Sequence, residues 1–85
     1  MPRLILAAER IILAHNLIEK ARQVPVPDEG GKHDFSYIAQ VKDLLRQARD
    51  LVKFIPQSAG ASAETKADAR RIMQEADQAD KEILH

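Results

Sequence analysis

The sequence predicts an all-α domain: an antiparallel, up-down-up three-helix bundle. Three observations predict it. Apolar residues recur at helical spacing in three blocks. Two loops marked by proline and glycine separate the blocks. The blocks are of similar length, and short connections between such helices make neighbours antiparallel. All 85 residues form one domain, with helices over about 3–23, 35–55 and 63–84 and a Pro/Gly loop over 24–33.

The first helix is expected from about Arg3 to about Gln23. Pro2 suits its first turn, where a missing N–H costs nothing. Leu4, Ile11 and Ile18 repeat every seven residues, as do Ala7, Ala14 and Ala21. Leu6, Leu13 and Leu17 flank them and complete one broad apolar face. Pro25 and Pro27 end the helix. The first half of the following loop should be extended, because proline restrains itself and its predecessor. Its second half, with Gly30 and Gly31, should be mobile.

The second helix carries the clearest pattern. Asp34 is placed to cap it. Ile38, Val41, Leu45, Ala48, Val52 and Ile55 follow 3-4-3-4-3 spacing, and Tyr37, Leu44 and Leu51 widen that face. Pro56 stops it. Ser62 is the expected cap of the third helix, with Glu64 well placed for the helix dipole. The seam of that helix is Ala69, Ile72, Ala76, Ala79 and Ile83, with Met73 beside it. Its alanines permit close approach but add little apolar bulk.

Composition narrows the function. Lys+Arg and Asp+Glu are 13 each, so the net charge is zero with neutral histidines. A nucleic-acid binder needs surplus positive charge to displace counterions. The aromatics are Phe35, Tyr37 and Phe54, too few for a base-stacking platform. There is no cysteine, so neither disulfides nor a thiolate metal site can form, and an intracellular, cytoplasmic address is expected. Glu9 and Arg10 interrupt Leu4–Ala8 before it reaches the length of a secretory or membrane-spanning segment.

Nothing in the pattern points to catalysis, a cofactor or a metal. His15, His33 and His85 are too far apart for a helical metal pair. His15 lies at the edge of a polar face and reads as solvated or half-buried. A carboxylate pair is conceivable on the third helix, at Glu75 and Asp80 or at Asp77 beside Lys81, but the interleaved acids and bases there read better as solvated i,i+4 support. Gly30-Gly31 lacks a phosphate-cradling motif.

Two features point to a protein partner. Ile5, Ala8 and Ile12 lie off the main apolar face of the first helix and form a possible docking stripe. Lys42, Arg46, Arg49 and Lys53 share one side of the second helix, where Asp43 and Asp50 can pair with Arg46 and Lys53. Such a row can steer an acidic amphipathic helix. The expected function is therefore an adaptor or scaffold module that takes a partner helix in a groove. The alternative is a structural domain that self-assembles through its first helix. Association with a membrane surface is disfavoured, because Glu9 and Glu19 oppose anionic lipid.

In layout the chain is similar to small helical adaptors, such as microtubule-interacting-and-trafficking domains and focal-adhesion-targeting-type bundles. The likeness rests on helix count and length, the Asp34–Pro56 helix and the alanine-rich third helix. It implies binding of short partner helices along the bundle. The Pro-rich first loop departs from the former family, and the lack of a fourth helix departs from the latter. No binding residue is carried over from either.

Overall fold

The structure, a computed structural model, describes residues 6–84. Helix α1 is Ala7–Gln23, α2 is Phe35–Val52 and α3 is Ala63–Leu84. All three pack on one another as an antiparallel three-helix bundle. The side-chain ties set the directions. His15 Nδ1 lies 3.5 Å from Glu75, and Arg22 donates to Glu82. Both pairs join residues 60 apart, so α1 and α3 run parallel. The start of α1 meets the end of α2, where Ala7 and Arg10 lie beside Asp50, Leu51 and Phe54.

The caps follow the sequence. The Tyr37 N–H donates to Asp34 Oδ1 at 2.9 Å, and the Thr65 N–H donates to Ser62 Oγ at 3.1 Å. Each satisfies an amide that the first helical turn leaves without a partner. Helix α1 starts later than expected. Leu6 is extended (φ −66, ψ 151) and serves as the N-cap, its carbonyl accepting from the Arg10 N–H at 3.0 Å. Pro2, Arg3, Leu4 and Ile5 lie outside the described residues. Helix α2 ends at Val52 rather than at residue 55. A proline ring collides with the carbonyl four residues back, so Pro56 stops the helix before it arrives. A 3-10 turn over Ile55–Gln57 follows, and it still delivers Ile55 to the core.

The second half of the first loop has a defined form. Gly30 takes a left-handed conformation (φ 80), and Gly31–His33 make a single 3-10 turn that leads into Asp34. A Cβ at Gly30 would sit 3.4 Å from that of Asp34, the capping residue. Glycine there supplies both the backbone angle and the room.

The core is Ala14, Ile18, Ala21, Tyr37, Val41, Leu44, Leu45, Ala48, Val52, Ile55, Ala69, Ile72, Ala76 and Ala79. Helix α2 gives most of its bulk, and six of these residues are alanines, so the bundle is thin. Among the described residues no polar or charged side chain is buried. The expected seams of α2 and α3 hold, with Ile38 and Ile83 partly buried at the edges. The face of α1 is narrower than expected. Leu6 and Leu13, expected on the broad apolar face, are 65% and 43% exposed. Two neighbouring helices contact only part of a helix's circumference. The arc from Leu13 round to Ile11 spans about 160° at 100° per residue, wider than α2 and α3 cover together.

Candidate interaction surface

The surface is built from the grooves that flank α1. On the α2 side, Ala7 and Arg10 face Asp50, Leu51, Phe54 and Ile55. Further along, Leu17 faces Gln47, Asp50 and Leu51. Leu13 stands three residues after Arg10 and four before Leu17, so helical spacing puts it on the same side. Leu17 and Leu51 form a half-buried floor. Phe54 and, by that spacing, Leu13 are its exposed apolar border, and Leu6 is exposed just before the helix begins.

Phe54 owes its position to the end of α2. It is the residue at which the helix gives way to the 3-10 turn (φ −95, ψ −9), and its ring is 67% exposed. Lys53 Nζ lies 5.1 Å from the ring centroid, within the range of a cation–π contact. The sequence reading gave Phe54 no role. The available signal was its place between the seam residues Val52 and Ile55, which leaves it off the buried face.

On the α3 side, Ile11, Ile12 and His15 face Asp68, Arg71, Ile72 and Glu75. Ile12 is 61% exposed, and Ala8 is exposed one turn before it. Ile5, the remaining member of the expected stripe, lies outside the described residues. His15 is half exposed, as is Glu75, so their contact is solvated.

The basic row is partly committed to other ties. Arg46 pairs with Asp43, and Lys53 pairs with Asp50, as the spacing suggested. Arg49 instead reaches α3, donating to Asp77 Oδ1 from Nε at 3.2 Å and from Nη2 at 2.9 Å. Lys42 is exposed on the outward face of α2, beside Asp43 and Arg46. The stripe and the row therefore sit on different sides of the bundle. Only the Lys53 end of the row, through Phe54 and Asp50, meets a groove along α1.

Two carboxylates are electrostatically perturbed. Hydrogen bonds from Gln47 and then Arg46 hold Asp43 below the usual carboxylate range. Hydrogen bonds from Arg22 and then Gln78 do the same for Glu82. Both sites favour an ionised carboxylate. Asp77 and Glu82 thus join helices together, and for Asp77 the sequence suggested support along α3 alone. Among the described residues, no three His, Asp or Glu side chains converge as they would around a metal ion, and no helix is long and apolar enough to cross a membrane. The surface offers apolar contact with a charged border, suited to packing against another helix. No protein-family model, curated protein or solved structure matches the chain.

Proposed function

We propose that this domain is a non-catalytic protein–protein interaction module, an adaptor or scaffold unit whose groove between α1 and α2 receives the apolar face of an amphipathic helix. One observation carries the reading: Phe54 is solvent-exposed at the groove beside Leu51, and Leu13, on the same side of α1 as Arg10 and Leu17 by helical spacing, is exposed too. Clustered exposed apolar side chains with a polar border favour docking, whereas scattered ones do not. The row Lys42, Arg46 and Lys53 borders the same helix and would steer an acidic partner. The Ala8–Ile12 stripe is a secondary apolar contact on the α3 side, with Ile5 preceding it in sequence. The reading assigns no cofactor, metal, nucleic acid or small-molecule substrate. A chain without cysteine fits an intracellular, cytoplasmic setting.

Selection from a displayed library of helical peptides tests this. The folded domain is the bait, and Leu13→Asp is the counter-bait. Enriched peptides should carry apolar residues at i, i+4 and i+7 and should lose binding to the variant. Failure to enrich such peptides, or binding that ignores Leu13→Asp, would reject the groove.

A further inference from the structure

We infer that the groove between α1 and α3 is a docking site of its own, and that its occupant is a basic amphipathic helix of a partner protein. This site is separate from the groove between α1 and α2, and neither depends on the other. The charge on the groove walls names the occupant.

The two walls run side by side. His15 with Glu75, and Arg22 with Glu82, hold the parallel helices at an offset of 60 residues. Ala8 therefore lies level with Asp68, and Ile12 with Ile72. Ile11, Ile12 and Ile72 give an open cleft of about 320 Å³ its apolar lining, and Asp68, Arg71 and Glu75 give it charge. Ile12 is 61% exposed, with Ala8 exposed one turn before it, so apolar surface remains to be covered. On α3, Glu64 and Glu82 fall on the same side as Asp68 and Glu75 by helical spacing. On α1, His15, Glu19 and Arg22 follow 4-3 spacing along the other wall.

Five acids thus stand against Arg22 and Arg71, a net charge of −3 with His15 neutral, on a chain whose net charge is zero. Both arginines already have partners: Arg22 bonds Glu82, and Arg71 lies 3.4 Å from Asp68. Glu19 and Glu64 have no ion pair among the described residues, and Glu75 meets His15. The groove between α1 and α2 differs, since Arg10, Lys53 and Asp50 border it. A cleft with surplus charge of one sign concentrates ligands of the opposite sign. Lysines or arginines beside an apolar seam would meet Glu19 on one wall and Glu64, Asp68 and Glu75 on the other, while the seam covers Ala8 and Ile12. The same walls repel nucleic acid and anionic lipid. From Ala8 to Arg22 the groove runs about 21 Å, the length of about 14 helical residues.

A displayed library of amphipathic helices about 18 residues long tests the inference, each with a leucine seam and flanking positions drawn from Lys, Gln and Glu. The wild-type domain is the bait, and Ile12→Asn is the counter-bait. Enriched helices should carry lysine on both flanks. The tightest of them, made as a free peptide, should bind at least about tenfold more weakly to the double variant Glu19→Lys with Glu64→Lys. Ile12→Asn should also weaken it, and Leu13→Asp, on the α1–α2 side, should leave it unchanged. Amide chemical shifts should move at Ile12, Asp68 and Glu75 rather than at Leu51 and Phe54. Should the double lysine variant lose helical circular dichroism, Glu19→Gln with Glu64→Gln takes its place. Absence of enrichment overturns the inference, and so does enrichment of glutamate or glutamine flanks. A lysine peptide indifferent to the acid changes or to Ile12→Asn overturns it as well. A peptide released by Leu13→Asp sits between α1 and α2, which overturns this site and leaves the first groove standing. Lysine helices that ignore Leu13→Asp, with no Leu13-dependent peptide in either selection, support this site and reject the first.

Discussion

Helices α1 and α2 have 17 and 18 residues, and both are rich in large aliphatic side chains. Helix α2 buries Tyr37, Val41, Leu44, Leu45, Ala48 and Val52. Helix α1 buries Ala14, Ile18 and Ala21, while Ile12 and Leu13 face solvent. The difference lies in where the apolar residues fall on the helix. Apart from Phe35, its first residue and 88% exposed, those of α2 occupy one arc, and its outward side is charged. Those of α1 occupy an arc that two neighbours cannot cover, with Ile12 beyond it. A helix that turns most of its apolar surface inward is mainly structural. One left with a surplus has surface for a further contact.

The largest effect that could break this contrast is in the shared core. Leu45 and Ile18 are almost fully buried, at 0% and 1% exposure. Leu45→Ala and Ile18→Ala should each cost about 2–5 kcal/mol in urea unfolding. If Ile18→Ala costs as little as a surface change, α1 is only loosely docked. Next, Ala76 sits at 0% exposure on the close-packed seam of α3. Ala76→Leu should cost about 1–3 kcal/mol by overpacking, unless α3 moves outward. Asp34→Ala removes the cap of α2 and should lower stability by about 1 kcal/mol. Leu13→Ala, by contrast, should change stability by less than about 0.5 kcal/mol. A core-sized loss would show that the exposed leucine is part of the fold.

The smallest effect concerns pH. Glu82 is bonded to Arg22, which links α1 to α3, and its folded-state pKa is lowered. Its contribution is therefore fully present above the ordinary glutamate value of 4.5. It is lost as pH falls through the lowered value. Glu82→Gln should shift the urea midpoint slightly at pH 7, and the difference from wild type should disappear in strong acid.

The sequence is most informative where one mechanism decides. Asp34 and Ser62 cap as expected, because a short oxygen-bearing side chain before an apolar repeat has few other uses. The seams of α2 and α3 follow from strict 3-4 spacing. The width of the α1 face was not legible, because periodicity gives a direction but not the arc that neighbours will cover. Phe54 escaped for a similar reason. Its exposure depends on how the chain leaves α2 before Pro56, which is a matter of loop geometry. The basic row was legible as a row. Arg49's tie to Asp77 was not, since it depends on which way α3 turns its acids.

The alanine seam of α3 has a further consequence. Ala69 and Ala76 are seven residues apart, so a slide of about 10.5 Å would lay one where the other had been. Such a rail has little grip along its length. What indexes it is Ile72, the bulky buried tooth of the seam, and the three latches His15–Glu75, Arg22–Glu82 and Arg49–Asp77. Those latches are exposed, so dissolved salt slackens them while the grip of α1 on α2 is untouched. Slippage in this bundle begins at α3, and amide hydrogen exchange along α3 should quicken with ionic strength before any other helix responds.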